Sequence, residues 1–337
     1  MRTVVVPALD TAWETRDAEI PEVTAGQVLV RVHASGICGT DVLITQGKLS
    51  FGVGFPMALG HEGAGEVVAV GDGVSSREVG DRVGIVTLQK ACGVCAWCRR
   101  GEPLDFVTAA NCESPVLTGM NVPGTHAGYV AVPAEATVPL PDGLSYEHAA
   151  PIMCVGYTAW AGLRRASPQP GDRVAVSGIG GLGHLAVQYA KAAGFTTIAV
   201  TRSPDKQELA RELGADVVVS DGAQLREAGG ADVLLNTNGS NQAVSDAMQG
   251  LAPRGRLVLM GIAFDALSVT NMQMVMNSVQ ILGSAHNGTR YLVEALSIAG
   301  EGKVTPMVDV FDKEHAADAY RHTAAGKSRF RTVISFA

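Results

Sequence analysis

Three cysteines stand at two-residue spacings in the run C-G-V-C-A-W-C, at Cys92, Cys95 and Cys98. Such spacings let several thiolates converge on one ion, so the run favours a metal site over a disulfide framework. The alternative is a set of buried, inert thiols. That alternative accounts for an isolated cysteine such as Cys38 or Cys154 better than for this run.

A second group of metal-binding residue types is spread along the chain. Cys38 lies in ICGTD, His61 in GHEGAG and Cys154 in APIMC. Two cysteines and one histidine would leave the fourth tetrahedral position of Zn²⁺ open for substrate or water, as in a catalytic site. A lone histidine is more often a core or turn residue. The pairing with Cys38 and with Asp41, an acceptor for an imidazole N–H, favours the metal site.

A glycine loop follows the apolar run Val174–Ser177. It fits the pattern G-x-G-x-x-G between a strand and a helix, the setting that predicts a dinucleotide site. Glycines let backbone N–H groups approach a pyrophosphate, which the positive end of the helix also attracts. The alternative is a glycine-rich turn without a ligand. The loop residues are Gly178, Gly180, Gly181, Leu182 and Gly183.

The end of the next strand predicts which dinucleotide binds. An acid about 20 residues beyond the loop would accept from the ribose 2′-OH of NAD. Thr201 and Arg202 stand there instead, with Lys206 nearby, and Arg grips phosphate with paired hydrogen bonds. Asp205 belongs to the first helical turn, where an acid complements the helix dipole. The pattern favours NADP over NAD, and the alternative is that Arg202 is a solvated surface charge.

These residues need two kinds of scaffold. Residues 1–150 hold short valine-rich runs bounded by glycine or acids, such as Gln27–His33 and Asp81–Val86, which are typical of a barrel or sandwich. From Pro151 to Ser284 apolar strands alternate with helical stretches, which predicts a parallel, doubly wound sheet. The helices include Gly181–Ala193 and one that begins at Ser203-Pro204, with a proline in its first turn.

Composition excludes several classes of protein. The chain has 337 residues, enough for two domains, and a net charge of −7, which argues against a general nucleic-acid binder. Its 47% of apolar residues excludes a disordered chain. No apolar run approaches the roughly 20 residues that a membrane helix needs. The first residues carry no secretory signal, which predicts a cytoplasmic protein.

The sequence resembles the zinc-dependent alcohol dehydrogenases of the medium-chain dehydrogenase/reductase family over essentially its whole length. The stretch GHEGAGEVVAVGDGV at residues 60–74 matches the zinc signature of that family, and ICGTD, APIMCVGYT, GIGGLG and RTVISF match in the expected order. The resemblance implies an α/β fold with two domains. They are a GroES-like β-rich catalytic domain, residues 1–154 and 286–337, and a Rossmann doubly wound parallel sheet, residues 155–285.

The resemblance also implies roles for single residues. It makes Cys38, His61 and Cys154 the catalytic zinc ligands and Glu62 a carboxylate that approaches the metal during ligand exchange. It makes Thr40 the hydroxyl that passes the alcohol proton onward and Asp41 the partner of the histidine ligand. On the cofactor side it implies a residue beside the nicotinamide and two arginines, one of them near the pyrophosphate. These are Thr158, Arg290 and, for the pyrophosphate, Arg331.

The cysteine run matches the structural zinc site of the family, which closes with a fourth cysteine. The usual gap of seven residues ends at Phe106, and the next cysteine is Cys112. We therefore expect an insertion of six residues within Arg99–Asn111 and a zinc held by Cys92, Cys95, Cys98 and Cys112. Loop-closure entropy grows slowly with length, so a longer loop need not abolish binding. The alternative is an empty lobe.

Two positions depart from the family. Many relatives have a histidine three residues after the position of Thr40, where this chain has Leu43. The proton relay then ends at ribose and water or at another base. Many relatives also have an aromatic residue five positions before the first lobe cysteine, where this chain has Thr87. Thr87 predicts an alcohol that is larger or more polar than ethanol.

The function predicted is a zinc-dependent NADP(H)-linked alcohol dehydrogenase or aldehyde reductase acting on a small molecule. One alternative is a polyol or aminocyclitol-type dehydrogenase, which Thr87 favours. Another is a zinc-free quinone or enoyl reductase, which the three metal-binding residues oppose. A non-enzymatic zinc or nucleic-acid module is opposed by the charge and the glycine loop. The outer strand near Gln280–Gly283 predicts a homodimer or homotetramer, as in relatives.

Overall fold

A computed structural model describes residues 1–52, 54–100 and 106–337. The strands of this part of the chain are β1 (Arg2–Val5), β2 (Glu14–Asp17), β3 (Gln27–Ile37), β4 (Glu62–Val70), β5 (Arg82–Ile85), β6 (Leu88–Lys90), β7 (Val116–Leu117), β8 (Tyr129–Pro133), β9 (Thr137–Pro139), β10 (Arg173–Ser177), β11 (Thr196–Val200), β12 (Val217–Val219), β13 (Ala231–Asn236), β14 (Leu251–Leu259), β15 (Gln280–Gly283), β16 (Val308–Asp312) and β17 (Arg331–Ser335). The α-helices are α1 (Gly39–Thr45), α2 (Phe106–Asn111), α3 (Tyr146–Pro151), α4 (Tyr157–Arg165), α5 (Gly183–Ala192), α6 (Pro204–Glu212), α7 (Gly222–Glu227), α8 (Asn241–Ala247), α9 (Asn271–Asn277), α10 (Thr289–Gly300) and α11 (Ala316–Ala324).

The chain divides into two compact units. The first comprises Met1–Cys154 and Pro306–Ala337, and the second Val155–Thr305. A seven-stranded sheet forms the centre of the first unit, in the order β16-β17-β3-β4-β5-β9, with β8 also paired to β3. Most side chains of β3 are buried, and the valines Val28, Val30, Val32, Val67 and Val83 pack into one core cluster. This is the β-rich, GroES-like domain that the sequence predicts.

The second unit is built on a six-stranded sheet in the order β12-β11-β10-β13-β14-β15. All of its neighbouring strands are parallel. The strand order reverses between β10 and β13, and ligands of such sheets bind at the carboxyl ends of the strands at this switch point. The predicted Rossmann sheet is confirmed, with element ends that differ from the sequence prediction by a few residues.

The boundary after the second unit differs from the sequence prediction. The sequence predicts residues 286–305 in the catalytic domain, but the structure groups them with the second unit. The reason is packing, because α10 lies against α4 and buries Leu292, Ala295 and Leu296. The return to the first unit begins at Pro306.

No helix in the described ranges combines the length and the apolar character that crossing a bilayer would require.

Candidate active site

Cys38 and Asp41 are fixed together at the start of α1. Cys38 is the N-cap of this helix, and Asp41 at its third position accepts a hydrogen bond from the Cys38 N–H at 2.7 Å. This reciprocal capping satisfies a backbone donor and orients both side chains. Thr40 lies between them, half-buried, with its Oγ1 3.7 Å from the Cys38 sulfur.

His61 and Glu62 stand at the beginning of β4, in the first unit. Both are almost fully buried, with 1% and 0% of their surfaces exposed. Gly36 is paired with Glu62 across the sheet, and a Cβ at Gly36 would collide with the Glu62 carboxylate. Gly60 has a φ of +95°, and a Cβ there would lie 2.5 Å from Nδ1 of His126. These two glycines therefore make the space in which the buried polar side chains fit.

Cys154 comes from a different stretch of the chain, the single π-helical turn Ile152–Gly156 that follows α3. Such turns place side chains out of α-helical register and are frequent at functional sites. The ligand atoms of Cys38, His61, Glu62 and Cys154, hereafter the buried metal cluster, lie within 4.8 Å of one another. The structure therefore brings these residues together, although they stand as much as 116 residues apart.

The buried metal cluster fits a zinc ion. The sulfurs of Cys38 and Cys154 are 3.9 Å apart. Tetrahedral zinc with Zn–S bonds of about 2.3 Å separates two sulfurs by about 3.8 Å. Within the described residues, Nε2 of His61 is a buried nitrogen with no hydrogen-bond partner. A hydrogen bond from Cys154 holds the pKa of Cys38 well below its usual value, so one thiolate is already favoured.

Arg331 in β17 forms a buried ion pair with Glu62. The two side chains are 8% and 0% exposed, so each charge depends on the other. Burial raises the pKa of Glu62 to about 7, although Arg331 acts in the opposite direction. The sequence placed Arg331 at the cofactor pyrophosphate. In the structure a terminal nitrogen of Arg331 donates a hydrogen bond to Glu62. The Nε of Arg331 has no hydrogen-bond partner among the described residues.

Polar side chains lie beside His61, although Nδ1 of His61 and Oδ1 of Asp41 form no hydrogen bond among the described residues. Asp41 Oδ1 lies 3.3 Å from Nδ1 of His61, and Asp41 Oδ2 lies 3.9 Å from Nε2 of His126. His126 in turn contacts the Ser35 hydroxyl through Nδ1 at 2.8 Å. Burial lowers the pKa of His126 to about 4, so this ring is neutral near pH 7. Sequence reasoning identified Asp41 but missed His126, a single histidine in the loop before β8 with no motif around it.

The second group of cysteines, hereafter the cysteine lobe, also converges. Its members are Cys92, Cys95, Cys98 and Cys112, and their sulfurs lie within 4.8 Å of one another. Cys98 is 3.9, 3.5 and 3.7 Å from the sulfurs of Cys92, Cys95 and Cys112. These distances match the edges of a tetrahedral Zn–S₄ site and exceed the roughly 2.05 Å of a disulfide. The cysteines are free.

Backbone donors face the lobe sulfurs. The N–H groups of Cys92 and Ser114 donate to the Cys112 sulfur at 3.3 and 3.4 Å. A backbone hydrogen bond from Cys98 leads the effects that lower the pKa of Cys95 to about 6. A backbone hydrogen bond from Cys92 also lowers the pKa of Cys112, whereas burial raises the pKa of Cys98 to about 12. The thiolate is therefore favoured at Cys95 and Cys112 and disfavoured at Cys98. Of the predicted insertion, residues 101–105 lie outside the described residues, and α2 follows them at Phe106–Asn111.

The glycine loop of the second unit follows β10, as predicted. Gly178 has a φ of +92°, and a Cβ at Gly183 would collide with the Gly178 carbonyl, so both positions require glycine. A Cβ at Gly180 would instead enter open space. The backbone there is accessible to a ligand such as a pyrophosphate. Gly181 and Leu182 lead into α5, which begins at Gly183.

A pocket of about 320 Å³ opens beside this loop. Thr201, Arg202 and Lys206, the residues predicted to select the dinucleotide, all line it. Arg202 reaches into solvent with 75% of its side chain exposed. Sequence reasoning missed further lining residues that come from later strands and from α8, because spacing within one βαβ unit carries no information about them. These are Ser220, Asn238, Ser240 and Asp246.

Two other predicted cofactor residues lie elsewhere in the second unit. Thr158 is half-buried in the first turn of α4, next to Tyr157, whose ring stacks on His286 with centroids 4.1 Å apart. Arg290 is exposed, and its guanidinium lies over the Tyr291 ring at 4.4 Å. Arg290 does not line the pocket beside the glycine loop, so its predicted role gains no support from that pocket.

Comparisons with known proteins agree with this architecture. Residues 24–142 match the model of the alcohol dehydrogenase GroES-like domain, and residues 181–300 match the zinc-binding dehydrogenase model. The chain is 38% identical to an alcohol dehydrogenase of Geobacillus stearothermophilus, over 99% of both chains.

Solved structures give the same result. An NAD-dependent alcohol dehydrogenase superposes with a TM-score of 0.90 at 29% identity, covering 100% of both chains. A Sinorhizobium meliloti protein whose structure is bound to NADP has a TM-score of 0.88 at 26% identity, covering 99% of this chain and 98% of its own. The chain therefore belongs to the zinc-dependent alcohol dehydrogenases of the medium-chain dehydrogenase/reductase family, oxidoreductases that use zinc and a nicotinamide cofactor.

Proposed function

We propose that this alcohol dehydrogenase is NADP(H)-linked and interconverts an alcohol and its aldehyde or ketone at the buried metal cluster. The observation that carries the proposal is the convergence of Cys38, His61 and Cys154 within 4.8 Å, with Glu62 beside them. Three protein ligands that leave the fourth coordination position open for water or substrate are typical of catalytic zinc. We further propose a second, structural zinc in the cysteine lobe.

The residues around the buried metal cluster have different roles in the proposed reaction. A zinc ion held by Cys38, His61 and Cys154 would supply a Lewis acid for the alcohol oxygen, and a bound nicotinamide would supply the hydride acceptor. Thr40, whose hydroxyl is 3.7 Å from the Cys38 sulfur, takes the alcohol proton toward solvent. Asp41 holds the His61 ring in orientation. Glu62 balances the charge of Arg331. With a metal bound, the Glu62 carboxylate would approach it during ligand exchange.

The preference for NADP rests on the charge of the pocket beside the glycine loop. Thr201 and Arg202 occupy the positions where an acid would bind the 2′-OH of NAD, and Lys206 lines the same pocket. The two cations and the Thr201 hydroxyl suit a 2′-phosphate. Relatives with either cofactor exist, because one solved neighbour is NAD-dependent and another is bound to NADP.

The substitution Thr201→Asp tests the cofactor proposal. A carboxylate at this position repels the 2′-phosphate and accepts from a free 2′-OH, so we expect the ratio of kcat/KM for NADP over NAD to fall at least about tenfold. Thr201→Asn is the matched control, because it has the same size without the charge, and its ratio should stay within about threefold of wild type. An unchanged ratio in the aspartate variant would contradict the proposal.

A polyol-type substrate is the second candidate, and one observation favours it. Thr87 is 2% exposed, and its hydroxyl has no hydrogen-bond partner among the described residues. A buried hydroxyl without a partner is costly, and a substrate hydroxyl would satisfy it. A panel of primary, secondary and polyhydroxy alcohols measures this. A clear preference for ethanol over the other alcohols would contradict both the polyol hypothesis and the prediction of a larger or more polar alcohol.

We also propose that the protein forms homo-oligomers through the edge of the parallel sheet. Strand β15 is the outermost strand and pairs only with β14 among the described strands. Next to it along the chain, α9 exposes Met272, Val275 and Met276, each at least 70% accessible. Exposed apolar side chains beside an open strand edge are typical of an interface. Sedimentation equilibrium at micromolar concentration tests this, and a strictly monomeric species would refute it.

A further inference from the structure

The pocket beside the glycine loop contains a carboxylate that none of the preceding assignments uses. Asp246, near the end of α8, lines the pocket with Arg202 and Lys206. Its Oδ2 lies 3.6 Å from a terminal nitrogen of Arg202 and accepts a hydrogen bond from the Gly222 N–H at 3.2 Å. The side chain is 31% exposed, so a ligand in the pocket can reach it.

The position of Asp246 is fixed by the packing of α8 against the start of α7. A Cβ at Gly222 would collide with the Asp246 carbonyl, so the two backbones are in close contact. The Gly222 N–H then holds one carboxylate oxygen in place. Within the described residues, the second carboxylate oxygen has no protein hydrogen bond in the structure, and it is free to accept one from a ligand.

We propose that Asp246 is a specificity-determining residue for the ribose 2′ position of the dinucleotide. Its carboxylate competes with a 2′-phosphate for Arg202 and accepts a hydrogen bond from a free 2′-OH, so that the pocket takes NAD as well as NADP. This inference rests on the proposed function, in which the adenosine ribose occupies this pocket.

The charges in the pocket explain the direction of the effect. A phosphate carries a charge of about −1.5 to −2 at neutral pH, and it pairs with Arg202 and Lys206 while Asp246 repels it. A ribose hydroxyl carries no charge and can donate to Asp246. Asp246 therefore reduces the preference for NADP over NAD that Arg202 and Lys206 create.

Two small probes isolate this effect from catalysis and from the nicotinamide. They are adenosine 2′,5′-bisphosphate and adenosine 5′-monophosphate, which differ only in the 2′-phosphate. The measurement is the ratio of their dissociation constants by titration calorimetry on the full-length protein at fixed ionic strength. We expect Asp246→Asn to favour the bisphosphate about tenfold more than wild type does. The asparagine oxygen can still accept from the Gly222 N–H, which preserves the packing.

Control variants separate this proposal from the one on which it rests. Glu208→Gln removes a charge from the exposed face of α6, outside the pocket, and should leave the ratio unchanged. Arg202→Ala should lower the preference for the bisphosphate. If Arg202→Ala lowers it and Asp246→Asn does not change it, Asp246 is not a selector and the proposed NADP site survives.

If neither substitution changes the ratio, the pocket does not bind the 2′ group, and both proposals fail. Should Asp246→Asn fold poorly, as judged by thermal unfolding, Asp246→Ser gives the same comparison with a smaller side chain. A ratio in that variant within about twofold of wild type would overturn the assignment of Asp246.

Discussion

The buried metal cluster and the cysteine lobe both gather four ligand-bearing side chains, but they do so by opposite routes. The buried metal cluster combines two cysteines, a histidine and a glutamate, and its first and last members are 116 residues apart. The cysteine lobe uses only thiols, from a segment whose ends are 20 residues apart. His61 and Glu62 are fully enclosed, whereas Cys92 and Cys98 remain half-exposed.

The contacts that hold the ligand residues in place also differ between the two sites. Side chains support the buried metal cluster, through Asp41, His126 and Arg331. Backbone N–H groups of the local turns support the lobe sulfurs. A site held by local backbone needs little from the rest of the fold, which suits a structural metal. A site held by buried charges can tune its chemistry but depends on distant residues.

The largest contrast is expected from Cys38→Ser. Loss of one of three protein ligands should remove the catalytic zinc and lower kcat/KM by about a thousandfold, since zinc contributes several kcal/mol of transition-state stabilisation. Metal content should fall from about two zinc ions per chain to one, and NADPH binding measured by fluorescence should stay within about threefold of wild type. Turnover at the wild-type level would contradict the catalytic assignment.

A pH-dependent contrast is expected from His126→Phe. The pKa of His126 is lowered to about 4 in the fold, against about 6.5 when unfolded, so the unfolded chain binds more protons between these values. Stability from this group is complete above pH 6.5 and is lost as the pH falls toward 4, by about 3 kcal/mol in total. Urea unfolding at several pH values should show a shallower loss in the phenylalanine variant. Parallel curves for the two proteins would show that His126 does not carry this dependence.

The smallest effect on catalysis is expected from Cys98→Ser. The Cys98 sulfur lies within 3.9 Å of the other three lobe sulfurs, so its loss should release the lobe zinc. We expect kcat/KM at 25 °C to change less than about threefold, because no side chain of the buried metal cluster belongs to the lobe. Thermal unfolding should begin at a lower temperature. A loss of activity comparable to that of Cys38→Ser would show that the cysteine lobe is also required for catalysis.

Sequence patterns predicted local features better than long-range ones. The strand, glycine loop and helix around Gly178 depend on neighbouring residues and were predicted closely. The grouping of Cys38 with Cys154 was predicted from their residue types and from the family resemblance, because no spacing rule spans such a distance. His126 and Asp246 escaped prediction, since each acquires its partner only through tertiary packing. The domain boundary at Pro306 escaped for the same reason, because the packing of α10 on α4 decides it.

The pairing of Glu62 with Arg331 links two residues that are 269 positions apart. During synthesis on the ribosome, the glutamate emerges long before the arginine that neutralises it. A nascent first unit would therefore have to keep this carboxyl protonated or leave its pocket open to water. Only when β17 is inserted beside β3 can the site close around a compensated charge, so maturation of the catalytic centre is tied to one of the last strands to be made.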